Sequence, residues 1–124
     1  MSARYDLELE PEVRLWLSNL SDDNYIRVER KADRLAENPH GEGMPLLRPL
    51  GDGLFELRFH LGPNQQRITY WITADRHIIL LTVFRKARMN EHAEVERARK
   101  ALLTCAAEHK PATEEFNRHK RKET

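Results

Sequence analysis

The chain has 124 residues, of which 33% are charged and 40% hydrophobic, and its formal net charge is only +1. That length fits one domain with its own core, and the near-balance of charge excludes a uniformly basic or acidic binding protein, so any charged partner must be read from how the charges are distributed. A single cysteine, Cys105, excludes an intramolecular disulfide framework and fits a reducing compartment.

The stretch from Tyr5 to Glu12 is acidic where a signal peptide needs a basic and then an apolar region. The longest apolar run, Ile78 to Leu81, is far shorter than the roughly 20 residues of a membrane span. The expected location is the cytoplasm.

Tyr5 to Leu9 alternates polar and apolar residues and predicts a short edge strand. Pro11 suits the first turn of a helix carrying Val13, Leu15, Trp16, Leu17 and Leu20. Ser21-Asp22-Asp23-Asn24 is rich in N-cap residues and predicts a second helix start. Tyr25, Ile26, Val28, Ala32, Leu35 and Ala36 then repeat at helical spacing. That helix should end near Asn38, because Pro39 disfavours helix in the residue before it. Residues 40–53 hold four glycines and two prolines and read as a loop.

Three strands are expected next. Phe55, Leu57 and Phe59 share one face of the first, with Glu56, Arg58 and His60 on the other. In the second, Ile68, Tyr70 and Ile72 oppose Arg67, Thr69, Trp71 and Thr73. The third, His77 to Phe84, is apolar on both faces, as a central strand should be. Gly62-Pro63-Asn64 and Ala74-Asp75-Arg76 are short enough for antiparallel hairpins. Asn90 can cap a last helix from Glu91 to about Glu108, with Val95, Ala98, Leu102, Cys105 and Ala106 on one face.

The expected fold is therefore α+β, in the order β-α-α-β-β-β-α, with two N-terminal helices on a mainly antiparallel sheet of about four strands. Residues 1–109 form the domain. Residues 110–124 are a polar tail, left open between disorder and a short helix.

The face opposite the two helices then carries Glu56, Arg58, His60, Arg67 and Trp71, and the strand end adds Arg85, Lys86 and Arg88. Arg48 lies in the preceding loop. Arginine offers a planar fork that matches phosphate oxygens. Such a set is suited to hold several phosphates of a single strand, while Trp71 or Tyr70 stacks a base. The structural alternative is a solvated face on which Glu56 pairs with Arg58 or Arg67.

Arginine stays protonated, so it can stabilise a pentacoordinate phosphate but cannot serve as a base. Proton transfer would fall to Glu56, His60, His92 or Lys86. The six histidines show no metal-ligand spacing, and neither a metal nor another cofactor is expected. Cys105, on the apolar stripe of a helix, reads as a core residue.

Leu54-Phe55-Glu56-Leu57-Arg58, Arg67-Ile68-Thr69-Tyr70 and Leu80-Leu81-Thr82-Val83-Phe84-Arg85-Lys86, followed by Glu94-Val95-Glu96-Arg97-Ala98, resemble the RelE/ParE toxin superfamily, in its phage-derived, HigB-like branch. The resemblance covers roughly residues 5 to 106. It implies a RelE-like fold and a type II toxin that cleaves messenger RNA in the ribosomal A site. Cleavage would proceed by attack of the 2′-hydroxyl on the adjacent phosphate, without metal. It implies an antitoxin partner, often of helix-turn-helix type, besides the ribosome and messenger RNA, and no membrane partner.

By motif, Glu56, Arg58, Arg67 and Lys86 carry over as catalytic, with His92 nearby. Arg48, Arg58, Arg67, Trp71, Arg85, Lys86 and Arg88 are the expected RNA contacts. The family's second strand-end lysine is Ala87 here, and no tyrosine follows the basic cluster. Two other outcomes stay open within the same superfamily: a ParE-like inhibitor that binds DNA gyrase, and a relative that binds RNA or an antitoxin without chemistry.

Overall fold

The computed structural model describes residues 4–40, 46–87 and 89–123, with residues 109–123 described by backbone alone. Its strands are β1 (Asp6–Leu9), β2 (Leu47–Gly51), β3 (Leu54–Leu61), β4 (Asn64–Ile72) and β5 (His77–Arg85). They form one sheet in the order β1-β5-β4-β3-β2. Helices α1 (Pro11–Ser18) and α2 (Asp22–Glu37) lie between β1 and β2 in sequence, and α3 (Glu91–Glu123) follows β5. β1 runs parallel to β5, and the remaining strand pairs are antiparallel. Among the described residues no helix is long and apolar enough to cross a membrane.

Local chemistry sets these boundaries. Pro11 occupies the first turn of α1, where its missing N–H removes no helical bond. The Ser21 hydroxyl caps α2 by accepting from the Asn24 N–H at 3.2 Å. α2 stops at Asn38, one residue before Pro39. The β3–β4 hairpin closes on Gly62-Pro63, with Gly62 at a φ of +59°.

One expectation is corrected. Within the segment read as a loop, Leu47–Gly51 forms β2, so the sheet has five strands rather than about four. Pro49 hid it, because proline breaks most strand patterns. β2 is an edge strand, however, where a missing N–H can face solvent at no cost to the ladder. Asp52 and Gly53 then turn the chain with φ of +53° and +84°. An Asp-Gly pair supplies the left-handed conformations that a tight hairpin needs.

The sheet divides the core in two. On one face Leu57, Ile68, Tyr70, Ile78 and Leu80 are buried with Val13 of α1 and with Val28 and Leu35 of α2. On the other, Leu54, Ile79 and Leu81 are buried with Ala98 and Cys105 of α3. β5 therefore feeds alternate residues to both clusters, as expected of a central strand. Each fully buried aliphatic side chain contributes roughly 1.5–3 kcal/mol, and truncating Ile68 to alanine should cost about 2–5 kcal/mol.

The face expected to be polar and open is thus half closed. α3 covers its Leu54–Ile79 end and leaves the end nearest the Gly62-Pro63 turn exposed. One aromatic expectation falls, that Tyr70 stacks a base. Trp71 packs against the cluster beneath α3, with its indole nitrogen buried. Tyr70 is wholly buried on the opposite face, where its hydroxyl donates to the Pro39 carbonyl at 2.9 Å and burial pushes its pKa up. The Tyr70 ring is a core contact rather than a platform for a base, while Trp71 is half-buried.

Candidate functional site

Register places the charged side chains in rows across β3, β4 and β5. Glu56 stands opposite Thr69, and Thr69 opposite Thr82. Arg48 of β2 stands on the other side of Glu56. One row further, Arg58 stands opposite Arg67, and Arg67 opposite Phe84. Beyond that, His60 stands opposite Gln65, whose carbonyl accepts the Lys86 N–H at 2.8 Å. By alternation these residues share one sheet face. The rows run from the part covered by α3 to the open end, where Pro63, Asn64, Gln65, Arg85, Lys86 and Ala87 line a shallow hollow.

Two arginines directly opposite each other on a sheet repel. Glu56 resolves this by lying between them. Its Oε1 is 3.7 Å from Arg58 Nε and 3.6 Å from Arg67 Nε. Glu56 is 0% exposed and Arg67 3%, whereas the Arg58 side chain keeps 35% of its surface. These distances are ion-pair contacts and too long for good hydrogen bonds. Among the described residues neither Glu56 oxygen nor Arg67 Nε has a hydrogen-bond partner. Behind the pair, Thr69 and Thr82 satisfy each other at 2.6 Å.

Burial raises the Glu56 pKa above its ordinary value, and Arg67, Arg58 and Arg48 only partly offset it. Glu91, on the first turn of α3, adds to the rise. Desolvation lowers the Arg67 pKa, the Arg58 charge pushes it the same way, and Glu56 and Glu91 pull back. The site therefore gathers Arg48, Arg58 and Arg67 against Glu56 and Glu91, with a buried carboxyl whose proton is held unusually well. Chemically, it can present positive charge to an anion at Arg58, which the buried Glu56 holds in place.

The family model described as Phage derived protein Gp49-like (DUF891) matches residues 15–105. The chain belongs to that family. No curated protein matches this Gp49-like chain in sequence. Its fold is that of the RelE superfamily. A mutant of the Escherichia coli toxin RelE in the free state superimposes with a TM-score of 0.57 at 14% identity, over 77% of this chain and 94% of that one. An archaeal RelE–RelB complex from Pyrococcus horikoshii OT3 gives 0.55 at 22% identity, over 69% and 99%. The RelBE2 toxin–antitoxin complex from Mycobacterium tuberculosis gives 0.53 at 20% identity, over 68% and 100%.

The Gp49-like fold thus brings Glu56, Arg58 and Arg67 together and sets Arg48 beside them. Arg85 and Lys86 lie exposed where β5 ends, with Arg85 3.4 Å from the Asn64 side-chain oxygen. Arg88 lies outside the described residues. His92 is exposed on the first turn of α3, while its half-buried neighbour Glu91 bears on the Glu56–Arg67 pair. Glu91, Thr69, Thr82 and Phe84 were not singled out from sequence. The strand register could have found the last three, since each falls opposite Glu56, Thr69 or Arg67. Glu91 follows only from where α3 begins. Among the described residues no group of histidine, cysteine, aspartate and glutamate forms a metal-binding cluster.

Proposed function

We propose that this chain is the toxin of a toxin–antitoxin pair, acting in the cytoplasm as a ribosome-dependent endonuclease of messenger RNA. The observation that carries this reading is Glu56, a buried carboxylate held between Arg58 and Arg67 where a sheet face passes from covered to open. The fold supports it, since the similar structures are those of a toxin and of toxin–antitoxin complexes.

RNA brings its own nucleophile. The 2′-hydroxyl oxygen attacks the adjacent phosphorus, its proton passes to an exposed imidazole, His60 or His92, and the bond from phosphorus to the 5′-oxygen breaks. The products are a 2′,3′-cyclic phosphate and a 5′-hydroxyl end, with a proton returned to the leaving oxygen. Glu56, buried behind the two arginines, holds Arg58 and Arg67 in position. Arg58 and Arg67 stabilise the charge that develops on the phosphoryl oxygens. Arg48, Arg85 and Lys86 hold neighbouring phosphates and so set the register of the strand. An antitoxin, expected to be a helix-turn-helix protein, neutralises the activity.

The test is inducible expression of the wild type and of Lys86→Ala and Arg58→Ala, whose side chains reach solvent and whose loss leaves the core intact. Growth arrest with new 5′-hydroxyl ends inside translated codons supports the reading. Equal arrest and equal cleavage by both variants contradicts the assigned site.

A further inference from the structure

A sheet edge offers unpaired N–H and C=O groups, and folded chains manage such edges. This sheet closes two of its three free stretches. Beyond the end of β1, the edge of β5 is capped at Val83. The Val83 N–H donates to the Glu12 carboxylate at 2.9 Å, and its carbonyl accepts from Arg97 at 3.4 Å. Arg97 itself is forked onto Glu12. At the other edge, Pro49 of β2 has no N–H to offer, and the Leu50 and Gly51 carbonyls accept from Arg99 at 2.5 and 3.1 Å.

The outer edge of β1 is handled differently. Asp6 and Glu10 donate their N–H groups to Arg76 and Leu80, so the even-numbered residues of β1 face β5. β1 ends the sheet, with β5 as its neighbour among the described residues, so the N–H and C=O groups of Leu7 and Leu9 point the other way.

The two faces beside this edge differ in chemistry. On one, Leu7 and Leu9 line an apolar cleft with Val13, Leu17, Tyr25 and Ala32. On the other, Asp6, Glu8 and Asp75 crowd around the His77 ring, at 3.9 Å for Asp6 and 3.6 Å for Asp75. These three carboxylates make this face acidic in character. Asp6 keeps 80% of its side-chain surface exposed.

From this we infer that the β1 edge is a docking surface for an extended segment of a partner protein, one that alternates apolar and basic residues. The main chain of the segment pairs with Leu7 and Leu9. Its apolar side chains enter the cleft and its basic ones meet Asp6 and Glu8. β1 is about 13 Å long at 3.3 Å per residue, so four or five partner residues saturate it. A second copy of this chain is a poor occupant, because pairing β1 with β1 would set acidic rows side by side. The inference rests on the edge alone and stands whether or not the chain cleaves RNA.

The test tethers a six-residue segment of alternating valine and lysine to the N-terminus of the full chain. A flexible linker of about 15 residues gives a local concentration in the millimolar range. Amide hydrogen exchange is read at Leu7 and Leu9. The expected result is exchange slowed by about tenfold or more, no slowing with a valine–glutamate segment, and reversed preference in an Asp6→Lys/Glu8→Lys chain. Protection at the Ile78 and Leu80 amides reports that each variant is folded. Unchanged exchange with the valine–lysine segment, or equal slowing by both segments, overturns the inference. Exchange at Leu7 and Leu9 that depends on protein concentration in the untethered chain also overturns it, in favour of self-pairing.

Discussion

Arg67 Nε lies 3.6 Å from Glu56 Oε1, in a pair sealed from solvent on both sides and, among the described residues, without a hydrogen bond to either carboxylate oxygen. Burial of a charge is costly unless it is paired, and removing one partner leaves the other stranded. Arg67→Ala should therefore lose about 3–5 kcal/mol of stability. The Glu56→Gln/Arg67→Ala double variant should recover much of that loss, because no lone charge remains. Urea unfolding of the four proteins forms the double-mutant cycle that checks this. For the same reason Arg67→Ala cannot by itself report on activity, and the more exposed Arg58 and Lys86 are the better probes.

The buried carboxyl also sets a pH dependence. Burial raises the Glu56 pKa above its ordinary 4.5. The folded state thus binds this proton more tightly than the unfolded chain does. Its contribution is fullest below 4.5, falls as pH climbs from there to the raised value, and is constant above it. Glu56→Gln removes that proton. The difference in stability between wild type and Glu56→Gln should therefore shift against the wild type as pH rises from 4.5 toward neutrality. Melting temperatures of both proteins across that interval measure it.

Phosphate binding at the open end of the face has a salt signature. Each contact to single-stranded RNA that is lost should flatten the slope of log affinity against log salt by about 0.7. Arg58→Ala and Lys86→Ala should each do so for a single-stranded oligoribonucleotide. Arg97→Ala should leave the slope unchanged, because Arg97 is engaged with Glu12 and Glu94 away from that face. Titrations at three or four salt concentrations distinguish these.

Gly53 holds the β2–β3 hairpin with a φ of +84°, and nothing stands where a Cβ would be added. Gly53→Ala should cost about 1–2 kcal/mol through the left-handed backbone alone. Because this turn sets β2 beside β3, the loss should be accompanied by faster amide exchange in Leu47 and Arg48.

Much of the scaffold was legible because local signals agreed with the fold. Pro11, the Ser21 cap and Asn38 before Pro39 mark the helix limits, and β5 reads as central because both its faces are apolar. β2 escaped because Pro49 masked it, although Asp52-Gly53 between two apolar runs is a hairpin signal. The candidate site was half legible. Alternation puts Glu56, Arg58 and Arg67 on one face, but it says nothing about what lies above that face. Only the tertiary structure shows that Trp71 packs on the cluster beneath α3, that Glu56 and Arg67 are buried, and that Glu91 bears on that pair while His92 is exposed. Burial of a charge is a tertiary property, and no local pattern encodes it.

The most direct measurement of the central claim maps transcript 5′ ends within minutes of inducing the chain, beside Arg58→Ala and Lys86→Ala. The account predicts new 5′-hydroxyl ends within translated codons for the wild type, and sharply fewer for both variants at equal protein level. Growth arrest with no new ends, accompanied by DNA damage, would contradict it and point to gyrase as the target.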